Sequence, residues 1–163
     1  MNITINTDAS WHPEYKVGGY AFWIVCDKFK ITKSGNFKTN PKSSTDAEIM
    51  AIGNAIATLL KVNENIECNL LVINTDSTQA IARIKSGGIN KECPAKQVKS
   101  IHSKLISKTK AKKNKFRHVK AHSGKDDSRS FVNEWCDAEA KKWMRHQVAY
   151  LKQLELTKEL FER

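Results

Sequence analysis

The chain has 163 residues, a size for one domain with a real core, and 40% hydrophobic against 28% charged residues excludes a disordered segment. The formal net charge is +11, and no acid occurs between Glu92 and Asp126, a stretch holding Lys96, Lys99, Lys108, Lys110, Lys112, Lys113, Lys115 and Arg117 among its bases. Such a block suits a polyanion, whose condensed counterions are released on binding; it lacks the bulky apolar face of a membrane-surface helix. Cys26, Cys68, Cys93 and Cys136 are too scattered for a Cys-x-x-Cys pair or a zinc finger, and no apolar run reaches membrane-spanning length. A reduced, cytoplasmic protein is the expectation.

Residues 3–7 alternate apolar and polar and predict a strand ending at Asp8. After Gly18-Gly19, the aromatic and β-branched run 20–26 and the stretch 29–37 predict two more strands, which with the first make three antiparallel strands. A helix follows from about Ser44, capped by Ser44 or Thr45, with Ile49, Ile52, Ile56, Leu59 and Leu60 at helical spacing. Residues 68–75 form a buried-type strand, and Asp76 or Ser77 caps a short helix that Ser86-Gly87-Gly88 ends. Pro94 opens a third helix with Val98, Ile101, Leu105 and Ile106 inward, so the basic block is expected to be one helix face plus its exit loop. A last strand at 116–120, a polar loop at 121–130 and a helix from near Phe131 complete the order βββ-α-β-α-α-β-α. A mixed α/β sheet flanked by helices is the packing this order predicts.

Four acids stand out. Asp8 and Asp76 each follow a strand and an asparagine two residues earlier, Asn6 and Asn74, so parallel neighbouring strands bring them together at the carboxyl ends of the sheet. Glu48 shares a helical face with Ile52 and Leu59, and Asp137 precedes Ala140 and Met144 on theirs, so both acids border apolar stripes. A partly buried carboxylate cluster repels itself, and a divalent cation is the simplest compensation; oxygen ligands suit Mg²⁺, or Mn²⁺ in its place. Two such ions are a known device for phosphodiester hydrolysis.

The segments Thr7-Asp8-Ala9-Ser10, Ala47-Glu48-Ile49, Thr75-Asp76-Ser77, Val119-Lys120-Ala121-His122-Ser123-Gly124 and Asn133-Glu134-Trp135-Cys136-Asp137 resemble, in order, the motifs of the ribonuclease H type 1 family. The resemblance spans residues 1 to about 147, with 148–163 as a C-terminal helical extension. It implies the family's mixed five-stranded sheet and endonucleolytic hydrolysis of the RNA strand of RNA–DNA hybrids. Asp8, Glu48, Asp76 and Asp137 would carry two metal ions, and His122 would assist proton transfer or product release. Ser10, Ser44, Thr45, Thr78 and Asn133 fall at substrate-contact positions. Ala9 replaces a usual glycine, Ser44 and Thr45 replace asparagines, and Thr78 replaces a glutamine. The family's tryptophan-bearing basic protrusion has no counterpart, and Lys108, Lys110, Lys112 and Lys113 are expected to grip the phosphates of the DNA strand instead.

A catalytically silent nucleic-acid-binding domain and a related nuclease acting on branched DNA are the competing readings. A monomer without an obligatory protein partner is expected. The apolar residues of the tail from Gln147 are expected to pack back on the body in preference to a dimer contact.

Overall fold

A computed structural model describes residues 1–63, 65–88, 93–120 and 128–162. In chain order they form β1 (Asn2–His12), β2 (Val17–Val25), β3 (Lys30–Asn36), α1 (Ser44–Leu60), β4 (Leu70–Thr75), α2 (Thr78–Ser86), α3 (Pro94–Thr109), β5 (Lys113–His118) and α4 (Ser128–Phe161). The five strands make one mixed sheet ordered β3-β2-β1-β4-β5. β1–β2 and β2–β3 are antiparallel, and β1–β4 and β4–β5 are parallel. The expected element order and mixed sheet are both present.

One face of the sheet carries the main core. Ile3 and Ile5 of β1, Phe22 and Ile24 of β2, and Leu71 and Ile73 of β4 meet Ile49, Ile52, Ile56 and Leu59 of α1, with Val98 and Leu105 of α3 behind them. Each strand supplies alternate residues to this face, as a half-buried strand must. Ala21 on the other face of β2 is buried against Cys136 and Ala140 of α4. The closest approach is at Gly19, where an added Cβ would lie 2.4 Å from the Ala140 carbonyl oxygen and 2.7 Å from the Met144 nitrogen. Only a glycine lets α4 come this near to β2.

Helix ends follow their local chemistry. α1 is capped by Ser43, whose side chain accepts from the Asp46 amide at 3.0 Å, one residue before the expected cap. Ser77 caps α2 by accepting from Ala80 N, and Gly87 at φ 82° closes it in the left-handed conformation that a residue with a Cβ avoids.

Three boundaries differ from the sequence reading. β1 continues past Asp8 to His12, because Ala9, Ser10, Trp11 and His12 pair with Tyr20, Gly19, Gly18 and Val17 of β2. β5 starts at Lys113 and ends at His118 through its pairing with β4, so part of the basic block lies on a strand and not in a loop. α4 starts at Ser128, before the expected start near Phe131, and runs as a single helix of 34 residues. Val148 is buried and Tyr15 reaches Glu155 with a 3.0 Å hydrogen bond, but Leu160 and Phe161 are 69% and 86% exposed, so the tail does not pack back along its whole length. Among the described residues no helix is long and apolar enough to cross a membrane.

Candidate active site

The β1–β4 register sets Ile5 beside Ile73 and Asn6 beside Asn74, which carries Asp8 and Asp76, two residues further on, to the same end of the sheet. Asp8 does this from within β1 and not from beyond its end. Glu48 comes down onto the pair from the second turn of α1. One carboxylate oxygen from each of Asp8, Glu48 and Asp76 lies within 4.8 Å of the other two. His118 Nε2, facing the Asp76 carbonyl oxygen at 3.1 Å, fastens the backbone that presents the third acid.

The Ala9 amide donates to Asp8 Oδ1 at 2.9 Å and to Glu48 Oε1 at 3.3 Å, so one N–H serves two carboxylates. Among the described residues Glu48 Oε2 is buried without a hydrogen-bond partner. Asp8 and Glu48 are each only 9% exposed. Burial, then the Asp76 charge, pushes Asp8 up to about 8, and burial, then the Asp8 charge, holds Glu48 well above the usual carboxylate range.

Asp137 stands outside the trio but close enough for its charge to add to the rise at Asp8. Its Oδ2 accepts from Lys141 Nζ at 3.0 Å, one helical turn on. α4 is held here by Cys136, whose buried thiol points at the Asn6 carbonyl oxygen at 3.8 Å and is itself pushed up by burial and by the Asp8 charge. Asn133 lies one turn before Asp137 on the same helix and is half-buried. His122 lies outside the described residues.

Beside the trio runs a cleft of ≈ 350 Å³ lined by Ser44, Thr45, Glu48, Asp76, Ser77, Thr78 and Gln79. Thr45 and Gln79 hydrogen-bond across it at 3.0 Å. Ser44, Thr45 and Thr78 thus line the cleft beside Glu48 and Asp76, and Gln79 joins them unforeseen. The available signal was a glutamine one residue past Thr78 in the first turn of a helix. Ser10 pairs with Gly19 on β1 two residues beyond Asp8, on the side of the strand that Asp8 takes.

The four lysines expected on phosphates are not part of this site. Lys108 Nζ donates to the Leu60 carbonyl oxygen at 2.7 Å and to that of Val62, so it closes the carboxyl end of α1. Lys110 pairs with Glu67 at 3.3 Å. Lys113 is beside Leu70 at the start of β4, and Lys112 precedes it, so both sit at the opposite end of the sheet from Asp76.

Fold and site together define an α/β protein with a carboxylate centre at the carboxyl ends of its parallel strands. The family model for RNase H matches residues 1–145, and the chain belongs to the RNase H family. Among solved structures it is similar to RNase H1 from the halophilic archaeon Halobacterium salinarum NRC-1, at 12% identity over 90% of this chain and 99% of that one, with a TM-score of 0.59. LC11-RNase H1 in complex with an RNA/DNA hybrid shares 14% identity over 90% of this chain and 99% of that one, with a TM-score of 0.66. The N-terminal RNase H domain of a Mycobacterium tuberculosis protein shares 12% over 92% and 98%, with a TM-score of 0.61. No curated protein matches the sequence. At these identities the structural likeness is one of fold.

Proposed function

We propose that this chain hydrolyses the RNA strand of RNA–DNA hybrids as an endonuclease, leaving 3′-hydroxyl and 5′-phosphate ends. Two divalent cations, Mg²⁺ or Mn²⁺, would be held by Asp8, Glu48, Asp76 and Asp137. The observation that carries this is the convergence of Asp8, Glu48 and Asp76 to within 4.8 Å, two of them nearly buried and sharing a single backbone amide. The unsatisfied Glu48 Oε2 and an all-oxygen donor set fit a hard cation, and membership of the RNase H family agrees with it. The chemistry such ions supply when bound is activation of a water and neutralisation of the leaving oxygen.

The chain's own residues do the rest. The Ala9 amide aligns the carboxylates of Asp8 and Glu48, and His118 holds the Asp76 backbone. Ser44, Thr45, Thr78 and Gln79 offer hydroxyl and amide groups to the sugar edges of an A-like minor groove in the adjoining cleft. Ser10 and Asn133 flank the acids for further polar contacts. His122 takes up or delivers a proton near neutral pH. The hybrid bound by LC11-RNase H1 supports the choice of substrate.

Labelled RNA–DNA hybrid, duplex DNA, duplex RNA and a four-way junction, each incubated with Mg²⁺ and either wild type or Asp76→Asn, provide the test. Cutting of the hybrid's RNA strand alone, lost in the variant, is expected. Binding without cutting would leave a silent binding domain, and junction cutting would assign a different nuclease.

A further inference from the structure

The fold divides the acid-free stretch into two populations. Lys108 and Lys110 are spent on a helix end and on Glu67, whereas β5 carries Lys113, Lys115 and Arg117 at alternate positions. Phe116 turns toward α3, its ring 4.8 Å from that of His102, so the three bases point to the opposite face of the sheet. On that face α4 lies over β1, β2 and β3, and among the described residues Lys113 and Lys115 of β5 are exposed and Arg117 is half-buried.

Arg117 is held in an unusual way for a surface base. Its Nε donates to Asn74 Oδ1 at 2.8 Å, and Asn74 Nδ2 donates in turn to Asn6 Oδ1 at 2.8 Å, a ladder of side chains across three adjacent strands. Both asparagines are buried, so the guanidinium is oriented by groups that cannot move aside. It sits one strand over and two residues back from Asp76. Arg129, in the first turn of α4, is close enough that its charge, after burial, lowers the proton affinity of Arg117. Among the described residues no ion pair involves Lys113, Lys115, Arg117 or Arg129. A neutral amide could have completed the ladder. A guanidinium fixed in this way offers its remaining N–H groups to an anion in a defined direction.

We propose that Arg117 and Lys115 form a phosphate-binding subsite that holds the sugar–phosphate backbone of the cleaved strand next to the carboxylates. It rests on the nuclease reading of the neighbouring acids. With Nε committed to Asn74, the outer edge of the Arg117 guanidinium remains for paired hydrogen bonds to one phosphate. Lys115 follows at about 6.7 Å along the strand, a spacing suited to the next phosphate.

The test is binding without cleavage. Anisotropy of a labelled hybrid and of labelled single-stranded DNA is followed in EDTA over a range of NaCl concentrations. Arg117→Gln and Lys115→Gln should each lower the slope of log K against log salt by about 0.7–0.9, the contribution of one phosphate contact. Lys152→Gln, which removes an exposed charge from the tail, should leave the slope unchanged. Arg117→Lys should weaken binding at each salt concentration while keeping the slope, because the charge stays and the Asn74 bond is lost. Thermal unfolding of each variant separates loss of fold from loss of contact, and exposed Lys115 supplies a readout even if Arg117→Gln unfolds. Unchanged slopes in both glutamine variants, or a wild type that binds neither probe, would overturn the subsite. Reduced slopes in a protein that fails to cut hybrid would retain it and reject the nuclease.

Discussion

Replacing Asp76 with asparagine should make the metal-free protein more stable, an unusual result for the loss of a site residue. The three carboxylates lie within 4.8 Å of one another. At an effective dielectric constant of about 20, an ionised pair at that distance repels by about 3.5 kcal/mol. Asp8 escapes part of this by keeping its proton up to about 8, so the relief is small at pH 5 and largest near pH 9, where Asp8 is ionised. A gain of about 2–3.5 kcal/mol at pH 9 corresponds to a rise in Tm of roughly 4–14 °C for a domain of this size. Mg²⁺ should invert the order. The wild type gains about 2.7 kcal/mol at a hundredfold excess over Kd, while the variant, short of one ligand, gains little. Thermal and urea unfolding of both proteins at pH 5 and 9, in EDTA and in Mg²⁺, measures all of this. An Asp76→Asn protein less stable than wild type at pH 9 in EDTA would refute the account of the site as a strained cluster awaiting a cation.

The same cluster sets the pH dependence of the wild type. Asp8 and Glu48 bind protons more tightly folded than unfolded, so their contribution is whole below about pH 4 and is lost as pH rises toward 8; urea midpoints in EDTA should fall across that window. Mg²⁺ affinity, followed by calorimetry, should rise over the same range because the ligands must first deprotonate. Gly19→Ala should cost about 1–3 kcal/mol through overpacking against α4, and it should weaken Mg²⁺ binding as well, since Asp137 rides on that helix. Lys108→Ala should lower stability by about 1 kcal/mol by exposing the end of α1, with the salt slope of nucleic-acid binding unmoved; a lowered slope would return Lys108 to the phosphates.

Legibility in the sequence followed the range of the forces involved. Asn6-Thr7-Asp8 and Asn74-Thr75-Asp76 could be read as matched strand segments because side-chain alternation is local, whereas the parallel β1–β4 pairing that sets Asn6 beside Asn74 was a condition that the structure meets. Glu48 was legible for a similar reason, its face being set by the 3.6-residue period of α1. The end of β1 was not. Residues 9–12 are strand only because β2 returns beside them, and local patterning does not contain that pairing. The start of β5 was missed because Lys113, Asn114 and Lys115 have little strand propensity, and β4 overrides it.

Charge was the least legible feature. A run of lysines identifies an anionic partner in general, but Lys108 meets carbonyls 48 and 46 residues away, and Arg117 meets an asparagine 43 residues away. The sequence by itself determined the element order, the core faces and the identity of the acids, because each depends on neighbours within a few turns. Only the tertiary structure decided that Asp8, Glu48 and Asp76 crowd together while Asp137 stands off with Lys141, and which bases are structural and which are left facing solvent. Those outcomes depend on contacts between distant segments, whose desolvation and pairing energies exist only after the sheet has closed.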